Sequence, residues 1–187
     1  TIQEFVEKRN LCVDPFITAR LKPSSYVLSL GSCFRRWKRA EAPIELWSPG
    51  AAEDHLEHPF EAETVTLEPG GFIIGCTVEY IQLPDNLVGF ISPLSHVARF
   101  GLAINCGADL ISPGFGKRAP TQLTLELANH NPSKLILSAQ MPIAHLRIAK
   151  VGGDSSVARE VCSIYDGADP LNSPRFFEEM SAETNIE

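Results

Sequence analysis

The chain has 187 residues, of which 44% are hydrophobic and 21% are charged, a composition that suits one folded domain and excludes a disordered or fibrous protein. No apolar run reaches the roughly 18 residues needed to span a bilayer, and the polar start TIQEFVEKRN is unlike a signal peptide. We therefore expect a soluble protein of the cytoplasm without membrane contacts.

The net charge of −7 is concentrated near the C-terminus. Residues 152–187 contain eight acidic residues and two arginines, so the rest of the chain is almost neutral. Binding a nucleic acid polymer requires clustered Lys and Arg, and we expect no such partner, whereas a small polyanion is compatible with this charge.

The cysteines and two histidines give no sign of a metal site. Five cysteines are odd in number, widely spaced and never in a C-x-x-C pair, which predicts reduced, buried thiols rather than a disulfide framework or a zinc knuckle (Cys12, Cys33, Cys76, Cys106 and Cys162). His55 and His58 flank Glu57 in a stretch typical of a loop, where the ligand geometry is not fixed. We predict no metal there.

Short strands separated by Gly or Pro dominate the predicted secondary structure. Residues 2–9 place Ile2, Phe5 and Val6 at helical spacing and predict a short N-terminal helix. From Tyr26 onward the chain reads YVLSL, TVTL, FIIGCTVEYIQL, LVGFIS, LAINC, QLTLELAN, KLILS and PIAHLRIAKV. Because no long helical pattern separates these segments, we predict a mainly β fold, a compact barrel or sandwich with few other helices.

An acidic segment is predicted to leave the β fold and run over the surface. Residues 41–68 carry eight acidic residues and neither Lys nor Arg, which predicts a long surface segment. The preceding run at 35–39, R-R-W-K-R, is either a contact for phosphate or a solvated strand end.

An ordered set of motifs follows. S-x-x-A-R-x-G-L runs from Ser95 to Leu102, I-x-P-G-F from Ile111 to Phe115 and L-E-L from Leu125 to Leu127. Together with VDPF and KPSSYVLSLG further upstream, this set resembles the dCTP deaminases of the dUTPase-like superfamily over about residues 10–150. The resemblance implies a dUTPase-like β fold and a homotrimer that binds deoxynucleoside triphosphates between subunits.

The resemblance also implies roles for four residues. Glu126 matches the general acid/base that activates water for attack on C4 of cytosine, and Ser95 and Arg99 match residues that shape the site. Ala108 matches a position whose main-chain carbonyl contacts the attacking water. A partly buried carboxylate with a raised pKa can move both protons that the reaction needs. The H-x-E and P-C-x-x-C signature of zinc deaminases is absent, so zinc is not expected.

The domain division and the substrate contacts follow from the same resemblance. Residues 1–151 form the predicted nucleotide-binding domain, and residues 152–187 form an acidic tail that covers the active site or contacts a subunit. Mg²⁺ is expected to bind through the nucleotide phosphates. The predicted substrate contacts are Leu94, Ser95, His96, Val97, Ala98, Arg99, Ser112, Thr124, Leu125, Glu126, Tyr165 and Arg175.

Four positions depart from the family's pattern. Leu94 stands where an arginine usually grips phosphate, and Ser112 stands where an aspartate usually holds the deoxyribose. The opening strand, commonly S-x-D-x-R-L-G, has Val27 and Ser29 instead. Two phosphate or sugar contacts are therefore altered.

Two further segments differ. About four extra residues lie within GKRAPTQ, whose Lys117 and Arg118 are either replacement cations or a solvated hairpin tip. At the C-terminal end, Tyr165 is the counterpart of the tyrosine that closes over the triphosphate. Arg175 is the candidate for the following lysine, although the acidic pair 178–179 is a poor neighbour for phosphate.

These features lead to a main hypothesis and two alternatives. The main hypothesis is hydrolytic deamination of dCTP, or a related deoxycytidine nucleotide, to dUTP and ammonia. The enzymatic alternative is a dUTP pyrophosphatase or a bifunctional, dUMP-forming enzyme, and the other alternative is a silent nucleotide-binding homologue. His145, on the alternating strand P-I-A-H-L-R-I, is predicted to face a sheet surface or a subunit contact.

Overall fold

The computed structural model describes residues 1–8, 11–152 and 169–175. Within these ranges most of the regular structure is strand, which confirms the predicted mainly β class. The helices are α1 (Ile2–Glu7), α2 (Ser95–Arg99) and two 3-10 turns, Thr18–Arg20 and Glu53–His55. The strands are β1 (Cys12–Asp14), β2 (Leu21–Lys22), β3 (Ser25–Arg36), β4 (Phe60–Glu61), β5 (Thr64–Leu67), β6 (Phe72–Gln82), β7 (Leu87–Pro93), β8 (Leu102–Ala103), β9 (Leu110–Ile111), β10 (Thr121–Asn129), β11 (Leu135–Ser138) and β12 (Pro142–Lys150).

The short N-terminal helix is present as predicted. The Thr1 hydroxyl accepts a hydrogen bond from the Glu4 N–H, and the Glu4 carboxylate accepts one from the N-terminal ammonium. This capping box satisfies two groups that the first turn of a helix leaves unpaired. The helix ends at Glu7, and residues 9–10 lie outside the described ranges.

One curled antiparallel sheet of ten strands forms the body of the protein. Its strand order is β8-β10-β6-β3-β12-β7-β9, with β1 added to β6 and with β2 and β4 added to β3. Strands β5 and β11 form a separate antiparallel pair, whose Val65, Leu67 and Leu137 reach the main core. No helix of the described part is long and apolar enough to cross a bilayer.

Alternation along β10 shows how the sheet separates core from surface. Leu123, Leu125 and Leu127 are buried and belong to the main apolar cluster, while Thr124 is exposed and Glu126 is half-buried. Burial of a leucine side chain contributes about 1.5–3 kcal/mol. This apolar face fixes which side of the strand Glu126 occupies, because a shift of one residue would expose all three leucines.

A buried ion pair ties the start of the chain to β6. Glu79 is fully buried, and its carboxylate binds the Arg20 guanidinium. The same carboxylate accepts a hydrogen bond from the Ser29 N–H at 2.9 Å. These partners replace the water that a buried carboxylate loses.

The predicted surface excursion at 41–68 is only partly correct. Most of its acidic side chains are exposed, but the segment includes β4 and β5, and it buries Ala52 and Leu56. These two side chains pack with Ile74 of β6 and Leu171 in a second, smaller apolar cluster. The segment therefore covers part of the sheet instead of leaving it.

The prediction for the cysteines also needs correction. The four described cysteines are free, but only Cys76 is buried. Cys106 is exposed and lies in a turn, where its φ is 41°. Cys162 lies outside the described residues.

Candidate active site

Glu126 lies on the outward face of β10, near the middle of the strand. It pairs across the ladder with Ile74 of β6, and an isolated parallel bridge joins it to Asn105 on the other side. Backbone on both sides and the covering segments described below leave the carboxylate half-buried.

Burial raises the pKa of Glu126 to about 7, and the nearby backbone N–H of Glu126 itself opposes this rise. Desolvation disfavours the charged carboxylate, and no cation of the described residues forms an ion pair with it. At neutral pH the group is therefore divided between its ionised and protonated forms. A carboxyl group in this condition can both accept and return a proton.

The turn after β8 lies directly against Glu126. The Cys106 thiol donates a hydrogen bond to the Glu126 carbonyl at 3.5 Å, and the Ala108 N–H donates to the Asn105 carbonyl at 2.7 Å. The Asn105 amide in turn donates to the Ile91 carbonyl of β7 at 3.3 Å. Two of the predicted residues, Glu126 and Ala108, are consequently brought into the same neighbourhood.

Helix α2 carries the predicted site residues from 95 to 99. Ser95, His96, Ala98 and Arg99 are exposed, while Val97 faces the core. Within the described part of the chain, neither the Ser95 hydroxyl nor the Arg99 guanidinium forms a hydrogen bond or ion pair with Glu126. Both side chains are therefore exposed on the surface of the chain.

Gly101 sets the position of α2 relative to β10. Its φ of 76° turns the chain from the helix into β8, and a Cβ at this position would lie 2.9 Å from the Asn131 nitrogen. Strand β8 then pairs Ala103 with Ala128, two residues beyond Glu126. A left-handed turn in so confined a space requires glycine.

The other predicted contacts differ in the exposure of their side chains. Leu94 and Leu125 are 4% and 0% exposed, so only their main chains are available. Ser112 is exposed and accepts a hydrogen bond from the Phe115 N–H at 3.1 Å within a turn. Arg175 is exposed, and Tyr165 lies outside the described residues.

Residues 169–175 cover part of the face that carries Glu126, which the sequence did not predict in this form. Leu171 is 4% exposed and packs in the small apolar cluster with Ile74, the residue opposite Glu126. The Thr124 hydroxyl donates to the Pro170 carbonyl at 2.7 Å. The isolated leucine within a polar stretch was the only available signal for this packing.

Arg35 holds the same segment from the other side. Its guanidinium donates to the Leu171 carbonyl at 2.9 Å and to the Ser173 hydroxyl at 3.5 Å. A third bond joins its Nε to the Glu57 carbonyl at 2.8 Å. Of the two interpretations of the run at 35–39, neither included this use of Arg35 as a link between chain segments.

An open cavity of about 570 Å³ lies further along the same face. Thr121 and Gln122 of β10 line it together with Tyr80, and Glu61 and Asp169 contribute carboxylates. The predicted residues Ser95, Arg99 and Glu126 do not line it. Two carboxylates make this cavity a poor place for phosphate groups.

Comparison with known proteins places this architecture in a family. A family model described as dCTP deaminase-like matches residues 1–151. The chain belongs to the dCTP deaminase-like family. Among curated relatives, the "dCTP deaminase, dUMP-forming" of Nanoarchaeum equitans is 29% identical, with 80% of this chain and 81% of that protein covered. The protein of the same name from Rhodococcus opacus (strain B4) is 33% identical, with 75% and 73% covered.

A solved structure supports the fold assignment. The 2'-deoxycytidine 5'-triphosphate deaminase from Agrobacterium tumefaciens matches with a TM-score of 0.59 at 19% identity. The match covers 81% of this chain and 47% of that one, so this chain spans about half of that protein's length. The predicted dCTP deaminase-like enzyme class and the predicted fold class are thereby confirmed.

Proposed function

We propose that the protein hydrolyses the 4-amino group of dCTP and also cleaves its triphosphate, giving dUMP, ammonia and pyrophosphate. The observation that carries the proposal is the half-buried Glu126, whose pKa is raised to about 7 on a strand of the deaminase-like domain. The relatives' names include formation of dUMP, which favours the bifunctional alternative over the dUTP product expected from sequence.

The deamination step needs one water and one acid/base. Glu126 takes one proton as the water oxygen attacks C4 of cytosine, and it passes that proton to N3, whose double bond to C4 opens. It then takes the remaining proton of the new C4 hydroxyl and gives it to the departing amine. The exocyclic C4–N bond breaks, ammonia leaves and the C4 carbonyl forms, so atoms and protons balance. A carboxyl group with a pKa near the working pH performs these transfers with little cost.

The other residues of the proposal orient the water and the substrate. Ser95 and the Ala108 carbonyl hold the attacking water, and Arg99 organises negative charge near it. Thr124 and Leu125 present strand backbone to the base, with Thr124 on the same outward face as Glu126.

We further propose that the site is completed by a second copy of the chain in a homotrimer. Glu126 is half-buried without an ionic partner, while Ser95 and Arg99 are exposed on α2 without an intrachain bond to it. An α2 from a neighbouring subunit would supply these groups. Such symmetric sharing of a site is common in closed oligomers.

Mg²⁺ enters the proposal as a partner of the substrate phosphates, whose charge it neutralises when bound. No set of three His, Cys, Asp or Glu side chains in residues 1–8, 11–152 and 169–175 is arranged to hold a metal ion. The residues of the chain orient the base, the water and the phosphates, and Glu126 moves the protons.

The test measures ammonia and pyrophosphate release from dCTP, dCMP and dUTP in the presence of Mg²⁺. The proposal predicts both products from dCTP and no free dUTP during turnover. Ammonia without pyrophosphate would restore the simple deaminase, and pyrophosphate from dUTP without ammonia from dCTP would favour a pyrophosphatase. Release of neither product from any nucleotide would contradict enzymatic function.

A further inference from the structure

The turn between β8 and β9 has a backbone conformation that its own residues only partly favour. The Ala108 N–H donates to the Asn105 carbonyl at 2.7 Å, and both central residues have positive φ, 41° at Cys106 and 99° at Gly107. This is the pattern of a type I′ turn, in which Asn, Asp or Gly usually occupies both central positions. Glycine meets that preference at 107, but cysteine does not meet it at 106. Contacts outside these two residues must therefore hold the turn.

The side chain of Asn105 supplies two such contacts. Its amide nitrogen donates to the Ile91 carbonyl of β7 at 3.3 Å, and its amide oxygen accepts from the Gly107 N–H at 3.5 Å. Asn105 is half-buried, so these bonds are partly shielded from water. Both a donor and an acceptor are used, and a carboxylate of the same size could replace only the acceptor.

Strand β7 holds the far end of the turn through the same residue. The Ile91 N–H donates to the Asp109 carbonyl at 2.9 Å, one residue beyond Ala108. Ile91 is buried in the main apolar cluster, where close packing fixes its position. The two bonds to Ile91 bracket Ala108, and the bond from Asn105 is the one that depends on a side chain.

The turn is also joined to the strand that carries Glu126. The isolated parallel bridge links Asn105 to Glu126, and the Cys106 thiol donates to the Glu126 carbonyl at 3.5 Å. Asn105 therefore contacts both the backbone of Glu126 and the turn that carries Ala108. In the proposed function, the Ala108 carbonyl holds the water that gives its proton to Glu126. The distance between these two groups depends on where Asn105 holds the turn.

We propose that Asn105 is a positioning residue, which fixes the Ala108 carbonyl at the distance from Glu126 that one water molecule can bridge. The catalytic consequence rests on the proposed function, whereas the fixing of the turn does not. A bridging water must lie within hydrogen-bonding distance of both groups, and a displacement of about 1 Å can lower a rate by about 10²-fold. Asn105 acts through the turn and not through the substrate, so dCTP binding does not depend on it.

Steady-state kinetics of ammonia release from dCTP tests this role. Asn105→Ala is expected to lower kcat by about 10- to 100-fold and to leave the KM of dCTP within about twofold of the parent's. Asn105→Asp keeps an acceptor for Gly107 but loses the donor to Ile91, so it tests the same bond if Asn105→Ala does not fold. Its kcat is also expected to fall by about tenfold or more.

Gln82→Ala is the matched control. Gln82 is half-buried, and its amide donates to the Gly116 carbonyl at 3.0 Å, so it also ties a turn to a strand. It lies at the opposite end of β6 from Ile74, the residue that pairs with Glu126. This variant is expected to lose a similar amount of stability in thermal unfolding and to keep kcat within about twofold of the parent's.

Alkylation of Cys106 monitors the turn without any substrate. Partial burial raises the pKa of the Cys106 thiol, and the Glu126 carboxylate raises it further, so the thiol of a closed turn reacts slowly. Mass spectrometry of the peptide that contains Cys106 measures its rate of reaction with iodoacetamide. The rate is expected to rise by about fivefold or more in Asn105→Ala and to stay unchanged in Gln82→Ala.

The outcomes separate this inference from the proposed function. If the parent releases no ammonia, the proposed function is wrong, and faster alkylation of Cys106 in Asn105→Ala but not in Gln82→Ala still supports the fixed turn. If the parent deaminates dCTP and Asn105→Ala keeps kcat within about twofold, the inference is wrong while the proposed function stands. An equal fall of kcat in Gln82→Ala, a rise in KM with unchanged kcat, or unchanged alkylation of Cys106 would each overturn the inference as well.

Discussion

At the scale of single residues, Glu126 combines half-burial with the lack of an ionic partner in the described part of the chain. Desolvation by burial favours its protonated form. Ionising Glu126 in the folded protein therefore costs free energy, and this cost is largest at high pH. The same cost has a consequence for stability that can be measured without any substrate.

The pH dependence of stability tests the environment of Glu126. Its pKa rises from 4.5 in the unfolded chain to about 7 in the folded protein, so the folded state is favoured below the lower value and loses this advantage as pH rises through 7. The melting temperature of Glu126→Gln, measured relative to that of the parent by thermal unfolding, should therefore be about 5–10 °C higher at pH 8 than at pH 5.

Glu63→Gln is the matched control, because Glu63 is exposed and its side chain forms no hydrogen bond in the described part. It should show no pH-dependent difference from the parent. An equal gain in both variants would contradict the assignment of the effect to the buried carboxyl group.

The Arg20–Glu79 pair makes a second prediction at this scale. Removing one partner of a buried pair leaves an uncompensated charge, and Arg20→Ala should reduce the free energy of unfolding by about 3–5 kcal/mol. Lys134→Ala, which breaks an exposed pair with Glu68, should cost less than about 1 kcal/mol. Denaturant unfolding of both variants measures the difference, and similar costs would contradict the burial argument.

At the scale of elements, residues 169–173 are joined to the sheet by one buried side chain and a few hydrogen bonds. Leu171 fills the small apolar cluster, and Arg35 and Thr124 bind the backbone on either side of it. This packing shields the face next to Glu126. Its stability is local, because it depends on few contacts.

Leu171→Ala should therefore release this segment without unfolding the sheet. Hydrogen exchange is expected to accelerate about tenfold or more at the Leu171 N–H, which donates to Asp169 at 2.8 Å, and to stay unchanged at Leu123 in β10. Leu46→Ala is the control, since Leu46 is 68% exposed. Faster exchange throughout β10 would show that the segment is part of the main core instead.

The strand that carries Glu126 could be predicted from the sequence, whereas the segments that pack around this strand could not. The alternation L-T-L-E-L correctly indicates that Glu126 faces outward, because period-two patterns are local. Its surroundings include Asn105, which bridges to Glu126, and Leu171, which packs against Ile74 on the neighbouring strand; both are distant in sequence and carry no periodic signal. For the same reason, the run at 35–39 could not reveal that Arg35 binds the Leu171 carbonyl.

At the scale of the whole molecule, the shared site that we propose has Glu126 and Arg99 on different subunits. Mixing inactive Glu126→Gln with inactive Arg99→Ala subunits should then restore about a quarter of the parent's sites, since each intact site needs one unmodified residue from each variant. Ammonia release from co-expressed, refolded mixtures measures the recovery. The separate variants, mixed without subunit exchange, provide the control.

No recovery despite confirmed subunit exchange would mean that both residues act within one chain or that one of them has another role. Recovery near the level of the parent would also contradict a shared site, because random assembly leaves most sites with at least one altered residue.

The most direct test of the central claim is ammonia release from dCTP by the parent and by Glu126→Gln, with nucleotide binding measured on the same samples. We predict that the parent releases ammonia, and that the variant releases it about 10²–10⁴-fold more slowly while binding dCTP almost as well. Ammonia release by Glu126→Gln at the rate of the parent would contradict the role of Glu126. No release by the parent would contradict deamination itself.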